Sequence, residues 1–410
     1  MCSKIFSYAL ILIFGINIIS TNACTTAIVS GKYTKDGRPL LWKQRDTKNF
    51  QNKLMYFNDG KYPYIAVVNS DDPTGSQVWI GFNSAGFAIM NSNSYNLNVD
   101  DTTLVKDRDG VIMKLALQNC ATIDDFENLL NDLPKPLGVE SNFGVIDARG
   151  GAAYFETGNS GYAKVDVNDP KIAPYGYIIH TNYSFTGERD LGHGYIRYLT
   201  AEELIYEAIG TNDLDYQFIL QKISRSLKHS LTNIDLSKYP LTSIDETNFV
   251  PFQDFIPRYL SSSSAVVQGV KENESPALTT MWTILGFPLV SITVPVWLTP
   301  NGALPKILIA KYPNNAPLDD LAIKLKDKCF PVKRGHGDSY LNLTAILNIE
   351  NTGILQKIIP LENKIFEESK WRLAKWYNEK INYNEVYKFY NWIDTIIFAE
   401  YKVLANQYIE

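Results

Sequence analysis

The sequence predicts an α+β protein built in layers. Three observations carry this: the first third reads as short strands joined by turn chemistry, the helices come in blocks, and there is no regular β-α-β alternation of the kind that builds a parallel sheet. Residues 25–30 read as a strand, Lys35-Asp36-Gly37-Arg38 as a turn and residues 39–43 as the returning strand. Strand-like runs follow at 64–69, 77–82 and 87–91, the last two joined by Asn83-Ser84-Ala85-Gly86, which is good turn chemistry. Helical periodicity takes over at 110–119. Thr122 and Asp125 then open a second helix with a capping-box pattern, and Pro134 and Pro136 close it.

Strands resume at 142–147, 152–157 and 175–181, and helices return at 196–209 and 214–228, where apolar residues recur three and four positions apart. Residues 240–257 are dotted with Pro and Asp and read as loop, and the Ser261–Ser264 run as a loop entering a strand. The nearly continuous apolar runs 265–270, 278–285 and 290–298 read as strands buried on both faces. The tail 361–408 reads as helical, with Trp371, Trp376, Tyr377, Trp392 and Phe398 as an aromatic face packed on the body. No internal repeat or interdomain linker interrupts the chain. The expected division is a removed segment 1–23, a catalytic body 24–360 and C-terminal helices 361–410 on the same domain.

The first 23 residues have the pattern of an export signal: Lys4 gives a positive start, 5–19 an apolar stretch, and Thr21-Asn22-Ala23 a small-residue cleavage site. The apolar stretch is shorter than the ~20 residues of a membrane span, so none is expected after its removal. The expected location is therefore periplasmic or secreted. A net charge of -5 without a long Lys/Arg run gives no electrostatic case for nucleic acid, and small-molecule chemistry is the better default. Hydrophobic content of 45% and mean hydropathy of -0.15 are those of a soluble globular chain. Oligomeric state is open.

Cleavage after Ala23 would leave Cys24 as the first residue. A terminal cysteine carries a nucleophilic sulfur and a free α-amine on one residue, both titrating near neutrality, so nucleophile and proton acceptor meet without a histidine. Cys24, Cys120 and Cys329 then remain, an odd number that leaves at least one thiol unpaired; a Cys120–Cys329 disulfide and a structural bridge to Cys24 both stay open. The four histidines are scattered with no metal-binding spacing, and no cofactor is expected. GFNSAG is not the GxSxG of a serine nucleophile elbow.

The start CTTAIVSGKYTKDGRPLLWKQRDT, with GFNSAGFAIMNSNSYN, SNFGVIDARGGAAYFETG, GYIIHTNYS and TTMWTILGFPLVSITVPVW, resembles the cysteine N-terminal nucleophile amidases. These comprise choloylglycine hydrolases, penicillin V acylases and the acyl-coenzyme A:6-aminopenicillanic acid acyltransferase group, and the later segments are most similar to the last. The resemblance implies an αββα sandwich, two antiparallel sheets between helical layers. It implies Cys24 as nucleophile, Asp46 as holder of the α-amine, Asn93 and Asn182 as oxyanion donors, and Arg197 as the late active-site arginine. Where the family has an arginine three positions before the aspartate, this chain has Lys43, a point charge without Arg's planar fork, while Arg45 stands two residues on. Lys43 and Arg45 are therefore substrate-side candidates, against the plainer reading that Arg45 faces solvent, the asparagines are turn or cap residues and Arg197 is a helix-surface charge. The implied activity is cleavage of a linear N-acyl amide through a thioester, with transfer to another amine as the variant. Bile acid, phenoxyacetyl, fatty acyl and aminoacyl groups all stay open. The rival is a binding lipoprotein with Cys24 lipid-modified, for which Asn22 makes a poor recognition sequence.

Overall fold

The computed structural model describes residues 23–404. The signal-peptide expectation falls on residues 1–22, outside the described residues, apart from Ala23. The first two strands, β1 (Ala23–Val29) and β2 (Leu40–Asp46), form the expected hairpin, with Cys24 directly opposite Arg45 and Ala23 opposite Asp46. Next come β3 (Asn52–Phe57), β4 (Tyr64–Asn69), β5 (Ile80–Asn83), β6 (Ala88–Asn93), β7 (Ser141–Ile146), β8 (Ala152–Thr157) and β9 (Tyr162–Asp166). They pair in chain order as a seven-stranded antiparallel meander. The short β10 (Tyr177–His180) returns to the other side of β1.

A second sheet is completed late in the chain, by strands numbered after two two-stranded ladders: β11 (Lys228–His229) with β12 (Ile234–Asp235), and β13 (Phe249–Pro251) with β17 (Tyr340–Asn342). It adds β14 (Ser261–Gln268), β15 (Thr280–Leu285) and β16 (Val294–Val296), giving the order β10-β1-β2-β14-β15-β16.

The period-2 geometry of strands explains the layers. Along β4, Ile65 and Val67 belong to the cluster between the sheets, while Tyr64, Ala66 and Val68 pack with Ile112, Met113 and Phe126 of α1 (Asp109–Asn119) and α2 (Ile123–Asp132). The outer face of the second sheet is covered by α3 (Tyr195–Gly210), the short α4 (Tyr216–Phe218) with the π-helical turn Ile219–Ile223, α5 (Pro317–Cys329), α6 (Leu343–Ile346), α7 (Ile354–Asn378) and α8 (Tyr383–Ile396). The four layers are α, β, β, α, as the resemblance implied. The capping box on α2 is present, Thr122 accepting from the Asp125 amide and Asp125 accepting from Thr122.

Some elements differ from the sequence reading. The Ser261–Ser264 run is strand, not loop: all four serines are buried in β14, with a bulge between Ser261 and Ser263. The helix expected over 214–228 is one short turn that widens into a π turn and stops at Ser224, before Lys228 and His229 form a bridge strand. The boundary placed at 360/361 falls inside α7, which runs through Pro360. Of the tail aromatics, Trp376 is buried against Trp297, whereas Trp371 is 61% exposed and does not pack on the body. β3, β9 and α5 were not anticipated. Cys120 and Cys329 are both buried free thiols in opposite outer layers, and burial pushes the Cys120 thiol up to about 12.

Candidate active site

Alternation along β1 and β2 sets the orientation of the candidate nucleophile. Thr26 faces the other sheet, its hydroxyl accepting from Tyr154 of β8 at 3.0 Å, so Cys24 two residues earlier faces the same gap at its mouth. Arg45, directly across the ladder, and Lys43 lie on that same face. Trp42 points the other way, its indole N–H reaching Ser224 in the outer layer at 2.9 Å.

The backbone of Cys24 is clamped. Its N–H donates to Asn182 Oδ1 at 3.1 Å, and its carbonyl accepts from Arg197 at 2.7 Å. Arg197 also donates to Thr25 Oγ1 at 2.7 Å and to Asn182 Oδ1 at 2.8 Å. The Asn182 Nδ2 donates to the Asn93 carbonyl at 2.8 Å. One amide thus ties β6 to the start of β1. Asn182 thus has a structural task beside the oxyanion role the resemblance implies: one N–H of its amide goes to Asn93 and its oxygen faces the Cys24 nitrogen.

Arg197 is no surface charge. At 1% exposure it lies inside the first turn of α3, and burial pulls its guanidinium down to about 10. Gly194, at φ 89°, caps that helix where a Cβ would come within 2.3 Å of the Arg197 guanidinium, so only glycine admits this approach.

Lys43 and Arg45 are both buried, which rules out the solvent-facing reading of Arg45. Lys43 Nζ donates to the Trp79 carbonyl at 2.9 Å and to Asn91 Oδ1 at 2.6 Å, and Asn91 in turn donates to Asp109 at the start of α1. Burial lowers the Lys43 ammonium to about 8; the charge of Cys24 opposes this and Arg45 adds to it. Arg45 donates to Asn52 Oδ1 and, at 2.8 Å, to Asn69 Oδ1, with its guanidinium 4.4 Å from the centre of the Trp79 ring. Asp46 accepts from Arg258 Nε and from the Ser261 hydroxyl, both at 2.7 Å.

Cys24, Lys43, Arg45, Asp46, Trp79 and Asn93 share the wall of a cavity of about 240 Å³. A second hollow of about 260 Å³ meets it at Asn93, Asp107 and Asp109. The much larger groove between α3 and α7, about 850 Å³, holds none of these residues. All seven residues singled out in the sequence are therefore gathered at one place. The supporting set, Trp79, Asn52, Asn69, Asn91, Asp109, Arg258 and Ser261, was not singled out as functional, although Asn91 and Ser261 lie in runs noted in the sequence.

A family model described as Acyl-coenzyme A:6-aminopenicillanic acid acyl-transferase matches residues 34–228. That match bears out the resemblance read from the sequence. It takes in Lys43, Arg45, Asp46, Asn93, Asn182 and Arg197 and begins after Cys24. Similar solved structures include two variants of conjugated bile acid hydrolase from Clostridium perfringens. One is 11% identical, covering 67% of this chain and 92% of that one at a TM-score of 0.40. The other is 12% identical over 68% and 93% at 0.39. Penicillin V acylase from Agrobacterium tumefaciens is 12% identical over 68% and 86% at 0.32. No curated protein matches this chain. Among the described residues no cluster of His, Cys, Asp and Glu is arranged to hold a metal, and no helix is long and apolar enough to cross a membrane.

Proposed function

We propose that this chain is an exported amidase of the N-terminal nucleophile type, matured by cleavage after Ala23, with Cys24 as both nucleophile and base. The observation that carries the reading is the clamp on Cys24: its nitrogen is aimed at Asn182 Oδ1, its carbonyl is fixed by Arg197, and its side chain opens into the cavity shared with Lys43 and Arg45. Ala23 stands across the ladder from Asp46, so its loss creates the new α-amine next to the position that faced that carboxylate.

The steps follow from the groups present. The α-amine takes the thiol proton, sulfur attacks the amide carbonyl, and Asn93 on the cavity wall stabilises the oxyanion. The α-ammonium then protonates the leaving nitrogen as the C–N bond breaks, leaving a thioester on Cys24. Water, deprotonated by the same amine, attacks the thioester and releases the acid and the thiol. Asn182 holds the amine through its side-chain oxygen in this scheme. Transfer of the acyl group to a second amine in place of water is the second reading, favoured by the family match.

The test is mass spectrometry of the protein beginning at Cys24 after exposure to a panel of N-acyl amides. An acyl adduct on Cys24, absent in Cys24→Ser, supports the reading. Hydrolysis that survives Cys24→Ser overturns it.

A further inference from the structure

We propose that Asp109 is a positioning residue of the site: it fixes the amide of Asn91 in the one orientation that holds Lys43 and leaves the N–H groups of Asn93 for the carbonyl under attack. This rests on the amidase reading and extends its site into the outer helical layer.

Asn91 lies on β6 of the first sheet at 1% exposure, Lys43 on β2 of the second sheet, and Asp109 opens α1 outside them. An asparagine amide has a donor end and an acceptor end, which a half-turn of the side chain exchanges. Its surroundings here remove that choice. Oδ1 accepts from Lys43 Nζ at 2.6 Å, a group with donors only. Nδ2 faces three oxygens: Asp109 Oδ2, Ser141 Oγ at 3.1 Å and Asn93 Oδ1 at 3.4 Å. The Ser141 hydroxyl can donate or accept and so fits either orientation, whereas an ionised carboxylate only accepts. The acid therefore sets the sense of the amide. Burial raises the Asp109 carboxyl, while Lys43 and the backbone N–H groups of Asp109 and Gly110 draw it down. The first turn of a helix favours its anion.

Two catalytic groups depend on that orientation. Asn93 is two residues further along β6, on the same face, and its Oδ1 is turned toward Asn91. Its N–H groups have no partner among the described residues and remain for the cavity whose wall Asn93 forms. An oxyanion donor acts fully only when it is aimed before the charge develops. Lys43 is joined by the same amide to an anion. The other charged groups facing it are Cys24 and Asp46, which favour its ammonium, and Arg45, which opposes it, with Asp107 at the exposed rim of the cavity. A buried lysine, amide and carboxylate in series are costly to place between layers, and apolar residues of similar size would pack there without that cost.

The experiment measures pH profiles of kcat and KM on the protein beginning at Cys24, with an N-acyl amide that acylates it, for the parent and for Asp109→Asn. An asparagine at this position keeps the shape but both donates and accepts, so the Asn91 amide is no longer fixed. The expected kcat is lower than the parent's, by less than the ~10²–10³ of a removed oxyanion donor, with little change in KM. The descending limb moves to lower pH, because Lys43 has lost an anion. Combined with Asn93→Ala the kcat loss is no longer additive, and combined with Lys43→Arg there is no limb left to move. Asn91→Ser, which cuts the bridge and keeps the acid, gives the same two changes and decides the matter if Asp109→Asn does not fold. A parental kcat and limb in either variant, or a loss that adds in full to that of Asn93→Ala, overturns the inference and leaves the amidase reading standing while Cys24 is acylated. Failure of every amide to acylate Cys24 in the parent overturns both.

Discussion

Asn182 makes three hydrogen bonds from one side chain, and each acts on a different part of the mechanism. Its oxygen takes the Cys24 nitrogen and Arg197, its N–H takes the Asn93 carbonyl, and the nucleophile cannot shift without breaking one of them. Asn93 shares the cavity wall with Cys24 and is the proposed oxyanion donor, so Asn93→Ala is expected to lower kcat by ~10²–10³ with the Cys24 terminus intact, read in steady-state kinetics. Lys43 gives the site a pH limit. Its ammonium, pushed down to about 8, is charged below that pH and neutral above it, so support for the Cys24 thiolate is lost as pH rises. A descending limb of kcat/KM near pH 8 is therefore expected from Lys43. Lys43→Arg, which stays charged, is expected to carry the descending limb out of the measured range, and an unmoved limb would remove Lys43 from this role.

The outer helices hold the sheet that presents β1, and one buried pair anchors the longest of them. Glu362 of α7 accepts two hydrogen bonds from Arg225, at 2.7 and 2.6 Å, and one from the Thr293 amide at 2.7 Å. Arg225 also donates to the carbonyls of Pro288 and Ser291. Glu362→Ala leaves a buried guanidinium uncompensated and is expected to cost about 3–5 kcal/mol in denaturant unfolding. Legibility in the sequence divides along the same lines. The β1–β2 hairpin and α2 were legible because turn residues and a capping box are local signals. α5 went unread although it carried local signals, with Pro317 at its start, Asp319 and Asp320 in its first turn and Lys326 and Lys328 in its last. The buried serines of β14 gave none, because polar residues read as loop until a partner strand and Asp46 satisfy them. Lys43, Arg45 and Asp46 were legible as chemistry from the family resemblance. Their partners Asn52, Asn69 and Asn91 come from other strands and had no periodic or local mark.

At the scale of the whole molecule, α5 links the C-terminal part of the chain to the site through a carboxyl group wholly inside the protein. Asp319 Oδ2 accepts from the Asn52 amide and from Asn315, while burial raises the group from 3.8 to about 8. The folded protein therefore holds this proton between pH about 4 and 8, where the unfolded chain has released it, and the contribution to stability falls as pH rises through that window. Lys326 on the same helix, pushed down from 10.5 to about 7, acts with the opposite sign from about 7 upward. Asp319→Asn removes the first contribution alone, so its melting temperature relative to the parent is expected to be higher at pH 7 than at pH 4. An equal difference at both would show that Asp319 is ionised in the fold.

All of this geometry converges on the nitrogen of Cys24, and the most direct measurement is the mass of the purified protein and of its complex with substrate. The account predicts a chain that begins at Cys24 with a free amine and, on rapid quenching with an N-acyl amide, carries one acyl group on that sulfur. A chain active on amides while beginning elsewhere, or with its Cys24 amine blocked, would contradict it.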